Sequence, residues 1–388
     1  MKRIAIVGAS GFVGASLAER LLSQGGDEVV PFIHSSGNAW RLARLDIELK
    51  TLNLLDRDQV HAALRGVTHV VNCSRGGGDV MLKGLRNLLS ASRMLRIDRF
   101  IHLSSVAVYG DPPSPESSHE NAPTNPLKGS YGWIKLMQDR MVEKACQEGQ
   151  PSVILCPPNI SGPHSAYLVA LVDVLRLGRF ALLEEGTAPC NLVDVDNLTF
   201  AVELALRNGP ADGARMFVTD DEDTNWGRVV ERLSALVDTA PPVPRVNREQ
   251  LLPPDAVPRG HTKSLLGSLR HVVSADVRQA LRKDPLWEKV DGAVRRSIAW
   301  LGKGVEGRLR FSVEGPIKIC KTYTGPQLDL QLCRQQLRGV RHSCAVAKAQ
   351  LGYRPIHSFG DSMKAFCEWY RHQHGMDSHE WDLIRNLY

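Results

Sequence analysis

The chain has 388 residues, of which 43% are hydrophobic, and it carries a net charge of +6 with neutral histidines. This length can bury a large core and exceeds that of a usual single domain, so we expect one large domain and a smaller one. The start, MKRIAIVGASGFVG, does not resemble a secretory signal, and no run of eighteen apolar residues occurs, so a cytoplasmic enzyme is expected.

Eight cysteines are spread along the chain without a CxxC pair or a cysteine–histidine group at zinc spacing. They are expected to be reduced thiols, mostly in the core, and no metal site is predicted. The positive charge is uneven, because residues 245–321 hold sixteen Lys and Arg against eight Asp and Glu. This segment could face an anionic partner. Nucleic acid is not predicted as a partner.

The first 110 residues alternate short β-branched runs with amphipathic stretches. The predicted strands are IAIV, EVVPFI, ELKTLNL, HVVNCS and RFIHLSS, and a helix is predicted after each of the first four. SVILCP and ARMFVTD are predicted to complete the sheet near residue 220. Alternating strands and helices predict an α/β fold with a doubly wound parallel Rossmann sheet and helices on both faces.

Beyond residue 220 the pattern changes. Residues 241–258 are rich in proline, which disfavours a long helix and predicts a linker or an extended crossing. Helices with a basic exposed side are predicted over 265–303, and irregular or β structure over 308–325. Residues 290–303 could lie on a membrane surface, but a packed helix with a solvated basic face is favoured, so there is no firm membrane signal.

The first predicted strand runs directly into Gly8-Ala9-Ser10-Gly11-Phe12-Val13-Gly14, and a helix follows. Glycines at this spacing let the backbone approach a pyrophosphate at the helix N-terminus. A tight structural turn would also need glycines. The position ahead of an alternating strand–helix pattern favours a dinucleotide site.

Tyr131 and Lys135 are four residues apart, which places both side chains on one face of a predicted helix. A nearby ammonium favours the phenolate, so Tyr131 could exchange a proton with an alcohol or carbonyl while hydride moves to or from a nicotinamide. Alone, such a pair is usually solvated. Ser105, at the carboxyl end of RFIHLSS, could hydrogen-bond the reacting oxygen, although by itself it could equally cap a loop.

In combination these segments resemble the extended short-chain dehydrogenase/reductase family, the NAD-dependent epimerase/dehydratase group. The resemblance is carried by GASGFVG, RFIHLSSVAVYG, YGWIK, PPNISGP (157–163) and NLVDVDNLTFA (191–201). A closing segment, AKAQLGYRPIHSFGDSMKAFCEWYR, is also similar. The resemblance covers about 1–235 and 340–372.

This resemblance implies Tyr131 as the acid/base, Lys135 as the residue that lowers its pKa and holds the nicotinamide ribose, and Ser105 as the residue that aligns the substrate oxygen. Asn159 is expected to contact the substrate. The predicted cofactor-binding residues are Gly8, Ser10, Gly11, Phe12, Val13, Gly14, His34, Asn53, Leu54, Cys73, Tyr131, Lys135 and Pro157.

The predicted organisation is a dinucleotide-binding domain over 1–157, with 188–220 returning to its sheet. A smaller α+β substrate lobe is predicted from 158–187 and 221–388, and it includes the basic insert at about 245–335. Because family members are commonly dimers, the resemblance also allows a homodimer.

Several positions depart from the family pattern. Val106 and Ala107 stand where the dehydratases carry an acidic pair, so a dehydratase is disfavoured. Cys190 stands where sugar-nucleotide enzymes carry an arginine that grips the diphosphate. Met81 replaces a usual asparagine, and Asn53 a usual aspartate. Arg259, Lys263 and Arg270 are candidate replacement cations for an anionic substrate.

Cofactor choice depends on the end of the second predicted strand, where an acidic residue would accept a hydrogen bond from the 2′-hydroxyl of NAD. The sequence has His34-Ser35-Ser36 there, so a 2′-phosphate is not repelled, and His34, Ser35 or Arg41 could receive it. NADP or NAD is therefore expected, with NADP favoured. Alternatively, His34 could simply end the strand and have no role in cofactor binding.

The leading hypothesis is an NAD(P)-dependent oxidoreductase or epimerase that acts on a secondary alcohol or ketone of a sugar-like small molecule, with a nucleotide sugar as one option. The alternative is a non-catalytic dinucleotide-sensing regulatory protein, which would need the glycine turn but not Ser105, Tyr131 and Lys135. An epimerase and a net reductase use the same three residues, so the sequence does not separate them.

Overall fold

The computed structural model describes residues 1–36, 39–210, 212–237, 242–251 and 327–374. The strands of this described part are β1 (Arg3–Val7), β2 (Glu28–Ile33), β3 (Lys50–Thr51), β4 (His69–Asn72), β5 (Arg99–Leu103), β6 (Ser152–Cys156), β7 (Asn159–Ser161), β8 (Leu182–Leu183), β9 (Leu192–Asp194), β10 (Asp212–Phe217) and β11 (Arg245–Val246). Its longer helices are α1 (Phe12–Gln24), α2 (Arg57–Ala63), α3 (Leu85–Met94), α4 (Tyr131–Gln147), α5 (Ala166–Arg176), α6 (Val195–Arg207) and α7 (Trp226–Ser234).

Seven strands form one parallel sheet in the order β10-β6-β5-β4-β1-β2-β3. The strand order reverses between β1 and β4, and ligands of such sheets bind at the carboxyl ends of the strands beside this switch point. The architecture confirms the predicted doubly wound α/β Rossmann fold. Two shorter pairs, β7 with β9 and β8 with β11, are also parallel.

Each face of the sheet buries its own hydrophobic core. Ile4 and Ile6 of β1 pack with α1 and α6, whereas Ala5 and Val7 pack with α2, α3 and α4. Successive residues of a strand point to opposite faces, so a strand covered on both sides is apolar throughout. This explains why the run IAIV does not alternate with polar residues.

Near the C-terminal end of the described chain lie α8 (Leu330–Cys333), α9 (Ala345–Leu351) and α10 (Phe359–Gln373). Tyr353 donates from its hydroxyl to the carbonyl of Thr219, 2.9 Å away. The Asn197 side-chain oxygen accepts from the amides of Ile356 and His357. These bonds fix the closing segment beside the end of β10 and the start of α6.

Two local predictions were wrong in detail. The helix predicted between β2 and β3 is only a 3₁₀ turn, Trp40–Leu42, among the described residues of that stretch. Leu42 is buried in the α1 core, so packing holds the stretch as a turn. Of the strand predicted over ELKTLNL, only Lys50–Thr51 is formed, because only the last two residues of β2 pair with this segment.

The chain divides into two compact units, residues 1–246 with 326–388, and residues 247–325. Of the second unit only 247–251 are described, and they contain a short helix, Arg248–Leu251. The predicted helices over 265–303 and the stretch 308–325 lie outside the described residues. The division into a dinucleotide domain and a substrate lobe stays a prediction. No helix of the described chain is both long and apolar enough to cross a bilayer.

Candidate active site

The glycine turn between β1 and α1 depends on the absence of side chains. Gly8 has a φ of +85°, and a Cβ there would lie 2.8 Å from Cα of Ser74. A Cβ on Gly14, in the first turn of α1, would lie 2.3 Å from the carbonyl oxygen of Gly8. Both contacts are too short for any side chain. The start of α1 therefore presses directly against the turn.

The N-terminus of α1 is suited to an anion. Gly11 precedes the helix without a side-chain cap, and its first turn contains no acidic residue. The amides at this end, including those of Phe12 and Val13, keep the partial positive charge of a helix N-terminus. Ser10 lies half-buried in the same turn. The predicted pyrophosphate cradle thus has the backbone that it requires.

The predicted adenine side is formed by the segment after β3. Leu54 is buried, and a Cβ on Gly84 would lie 2.9 Å from Cβ of Leu54. The Asn87 side-chain amide donates to the Leu54 carbonyl at 2.9 Å. The Asn53 side-chain oxygen accepts from the amide of Leu55, so this side chain is used within its own turn. Asn87 is a support that the sequence did not reveal.

The end of β2 carries no carboxylate. His34 follows the strand and is exposed. The guanidinium of Arg41 lies 5.6 Å from the ring centre of Phe12 in the glycine turn, and 5.1 Å from that of Trp40. Burial lowers the pKa of Arg41, but it remains a strong base. A cation is therefore stacked beside the predicted pyrophosphate cradle.

Tyr131 is the first residue of α4, and the side chain of Ser130 caps this helix. A Cβ on the next residue, Gly132, would lie only 2.1 Å from the carbonyl oxygen of Ala107. The glycine therefore lets α4 approach the loop that follows β5. This approach brings the Tyr131 side chain near that of Ser105.

Lys135 lies one turn further along α4, and its side chain is 5% exposed. Its Nζ donates to the carbonyl of Leu103 at 2.8 Å and lies 6.0 Å from the ring centre of Tyr131. Burial lowers the pKa of Lys135 to about 8, and the carboxylate of Asp139 opposes this shift. Burial likewise raises the pKa of Cys73 to about 12, with Lys135 acting in the opposite direction.

The pKa of Tyr131 is raised, because loss of water contact disfavours the phenolate. Two neighbours oppose this shift: the Arg75 guanidinium, 5.2 Å from the Tyr131 ring centre, and the side chain of Ser105. Tyr131 is 40% exposed, so an incoming molecule can reach it. At neutral pH the site combines a phenol with the ammonium of Lys135, which suits proton donation to a carbonyl oxygen.

Pro157 and Asn159 follow β6. Pro157 is buried, and its carbonyl accepts from the amide of Val106 at 3.1 Å, which ties the end of β6 to the Ser105 loop. Asn159 donates through Nδ2 to the Gln335 side-chain oxygen at 3.3 Å, and the Tyr167 hydroxyl donates to the same oxygen at 3.3 Å. Asn159 thus belongs to a second polar group, which we call the Gln335 cluster (Asn159, Tyr167 and Gln335).

Cys190, at the place of the family's diphosphate-gripping arginine, is buried beside Tyr167. The positive charge of Arg338 favours ionisation of both groups, so it lies near them. Arg338 itself donates two hydrogen bonds to Asp111, both of 2.9 Å. No motif surrounds Arg338, so the sequence alone does not identify this cation. The predicted replacements Arg259, Lys263 and Arg270 lie outside the described residues.

Three comparisons with known proteins bear on this site. The model of the NAD dependent epimerase/dehydratase family matches residues 4–218, more than half of the chain. A 2-alkyl-3-oxoalkanoate reductase of Shewanella oneidensis is 25% identical over 261 residues, which are 61% of this chain and 66% of the relative, just under two thirds. A dTDP-6-deoxy-L-talose 4-dehydrogenase (NAD(P)(+)) of Kitasatospora kifunensis is 29% identical over 52% of this chain and 69% of the relative.

Among solved structures, a UDP-glucuronic acid 4-epimerase from Bacillus cereus in complex with NAD has a TM-score of 0.63 and 15% identity. The match covers 96% of this chain and 99% of that chain. At this identity the likeness shows the fold.

Proposed function

The chain belongs to the NAD-dependent epimerase/dehydratase family, and from this membership we propose that it is an NAD(P)-dependent oxidoreductase or epimerase. Its substrate carries a secondary alcohol or ketone and is sugar-like, with a nucleotide sugar as one option. The observation that carries the proposal is the arrangement of Ser105, Tyr131 and Lys135 at the ends of the central strands, described above.

The residues present fit a dinucleotide, because the turn closes so tightly that any Cβ on Gly8 or Gly14 would collide with backbone. A bound nicotinamide supplies or accepts the hydride. The pyrophosphate would lie at the amides of α1, and Leu54 and Pro157 would flank the two rings. Lys135 would hold the nicotinamide ribose.

Tyr131 carries out the proton transfer in this proposal. In reduction its phenol donates a proton to the carbonyl oxygen, and in oxidation its phenolate accepts one from the alcohol. The Ser105 hydroxyl donates a hydrogen bond to the same oxygen and so orients it. The ammonium of Lys135 stabilises the phenolate that remains after donation.

The relatives act on different molecules, but by their names each substrate has a ketone or an alcohol that becomes one. Val106 and Ala107 follow Ser105 without a carboxylic acid, so elimination of water lacks an obvious acid catalyst. Cys190, unlike the arginine of the sugar-nucleotide enzymes, provides no positive charge for binding a substrate. We therefore place ketone reduction, or its reverse, ahead of dehydration, and the dinucleotide sensor remains the alternative.

NADP is the preferred cofactor in this proposal. No carboxylate follows β2, His34 is exposed there, and Arg41 stacks beside Phe12. A 2′-phosphate would therefore meet cationic or neutral groups. A carboxylate at this place would instead repel the phosphate and accept from the free 2′-hydroxyl of NAD.

Nucleotide binding tests the proposal. The purified protein is examined by absorbance and mass spectrometry for retained nucleotide, then titrated calorimetrically with NADP and with NAD. We expect binding of both and a lower Kd for NADP; His34→Asp should shift the preference toward NAD. The matched control His34→Asn removes the imidazole without adding charge and should keep the NADP preference. Binding of neither dinucleotide would contradict the proposed function, and tighter binding of NAD would contradict only the cofactor preference.

A further inference from the structure

Asp139 lies beneath the candidate active site. It follows Lys135 by one turn of α4 and Tyr131 by two turns, so all three side chains share one face of the helix. Asp139 is 0% exposed. A carboxylate in such a place is costly unless it is paired, so its partners indicate why it is there.

One oxygen of Asp139 is firmly held. Arg215, on β10, donates from Nε to Asp139 Oδ2 at 2.8 Å, and its second nitrogen pairs with Glu143 at 2.7 Å. The other oxygen, Oδ1, has no hydrogen-bond partner in the described part of the chain. It faces Nε2 of His102 at 3.9 Å, and this nitrogen is equally without a partner there.

The direction of the neighbouring hydrogen bonds fixes the protonation of His102. The Asn72 side-chain oxygen accepts from both the amide and the hydroxyl of Ser74, at 3.2 and 2.6 Å. The Asn72 amide nitrogen therefore faces His102, and it donates to Nδ1 at 3.2 Å. Burial lowers the pKa of His102 well below its ordinary value, so the ring is neutral. A neutral ring that accepts at Nδ1 carries its proton on Nε2, which points to Asp139.

Hydrogen bonds join Ser74, Asn72 and His102, and His102 faces Asp139 at 3.9 Å; we call these four residues the Asp139 relay (Ser74, Asn72, His102 and Asp139). Its outer end lies against the glycine turn, because Ser74 is the residue that leaves no space for a Cβ on Gly8. Its inner end lies beside Lys135. The relay thus connects the predicted cofactor cradle with the helix that carries the candidate catalytic pair.

Lys135 needs a negative neighbour, because its ammonium is almost fully buried. The titratable groups that face it are Tyr131 and Asp139 on its own helix, His102 on β5, Cys156 on β6, and Cys73 and Arg75 from the loop after β4. Asp139 is the carboxylate of this set; burial raises its pKa, and the Ser104 hydroxyl, the Arg215 guanidinium and the Lys135 ammonium oppose this shift by favouring the ionised form. Both cysteines keep high pKa values through burial and stay neutral near pH 7.

We propose that Asp139 is a positioning residue: held by Arg215 and facing the Nε2–H of His102, it supplies the fixed negative charge that keeps Lys135 protonated beside Tyr131. The importance of a protonated Lys135 for catalysis rests on the proposed function. The electrostatic link between Asp139 and Lys135 does not. An experiment can therefore contradict the electrostatic link without contradicting the proposed function, and the reverse also holds.

The link is tested without substrate or cofactor by titrating lysines labelled with ¹³C at Cε, with Lys135→Met to identify the signal. We expect the parent midpoint near pH 8. Asp139→Asn should lower it by at least about one unit, a tenfold change in the ionisation constant, because a carboxylate raises the pKa of a neighbouring ammonium. Asp139→Glu, which keeps the charge, should restore most of the shift.

Glu143→Gln is the matched control, because it removes the other carboxylate bound by Arg215, one turn further from Lys135. Its midpoint should stay within about 0.3 units of the parent, as expected for a more distant charge. Equal shifts in Asp139→Asn and Glu143→Gln, or no shift in Asp139→Asn, would overturn the proposal.

A second measurement uses the unaltered sequence, so it does not depend on the folding of any Asp139 variant. Long-range ¹H–¹⁵N spectra of histidine-labelled protein distinguish the two neutral tautomers. We expect the Nε2–H form for His102; the Nδ1–H form would overturn the relay. If both results are as expected and no dinucleotide binds, the link stands and the proposed function fails.

Discussion

The glycine turn and the Gln335 cluster occupy the two sides of the candidate site and are built in different ways. The turn is made by backbone, and a Cβ on Gly8 or Gly14 would meet main-chain atoms of Gly8, Ala9, Cys73 and Ser74. The cluster is made by side chains far apart in sequence, since Asn159 and Gln335 are separated by 176 residues. One side is fixed by close backbone packing, the other by contacts between side chains.

This difference predicts which side of the candidate site tolerates substitution better. A backbone cradle fails when any atom is added, because the colliding groups cannot move aside. A side-chain cluster loses only the strength of the bonds removed, and a hydrogen bond contributes about 0.5–1.5 kcal/mol. Substitutions on the cofactor side should therefore have larger effects than those on the substrate side.

The largest effect is expected from Gly14→Ala. Alanine favours helix over glycine, so propensity alone predicts stabilisation. The added Cβ would nevertheless lie 2.3 Å from the Gly8 carbonyl oxygen and push α1 away from the turn. We expect a loss of at least about 1 kcal/mol in the free energy of unfolding, as for other overpacked sites, together with loss of detectable dinucleotide binding.

Chemical denaturation and calorimetric titration measure these two outcomes. The control is Gly78→Ala, because no atom lies within 4 Å of a Cβ at Gly78. This variant should bind the dinucleotide like the parent. If Gly14→Ala also binds normally and is as stable as the parent, the backbone description of the cradle is wrong.

A smaller effect is expected from Gln335→Ala, which removes the acceptor shared by Asn159 and Tyr167. The KM for the substrate should rise about three- to tenfold, in line with the loss of one or two hydrogen bonds, while the Kd for the dinucleotide stays unchanged. Steady-state kinetics and calorimetry separate the two quantities. Gln350→Ala, at an exposed glutamine of α9, is the matched control and should alter neither.

The residues of the predicted cofactor side could be named from the sequence for the same physical reason. GASGFVG, the strand RFIHLSS and the helix start YGWIK are short, and each specifies its own backbone, so Gly8, Ser105, Tyr131 and Lys135 could be named before any contact was known. The central sheet followed from strand–helix alternation. The short 3₁₀ turn after β2 could not be foreseen, since tertiary packing of Leu42 overrides its local preference.

The residues of the substrate side could not be predicted from the sequence in this way. Gln335 and Arg338 lie in a stretch without a recognisable motif, and only the folded chain brings them to Asn159 and Cys190. Asp139 is an intermediate case, because its spacing of four residues from Lys135 was visible in the sequence. Its pairing with Arg215, 76 residues away, was not.

The most direct measurement of the central claim compares Tyr131→Phe with the parent protein. The substitution removes only the hydroxyl that carries the transferable proton and leaves the ring against Arg75 and Lys135. With NADPH and a 2-alkyl-3-oxoalkanoate or a 4-keto sugar nucleotide that the parent reduces, kcat should fall at least about a hundredfold, while the Kd for NADP stays the same. Unchanged kcat in Tyr131→Phe would contradict the assignment of Tyr131 as the acid/base and, with it, the proposed mechanism.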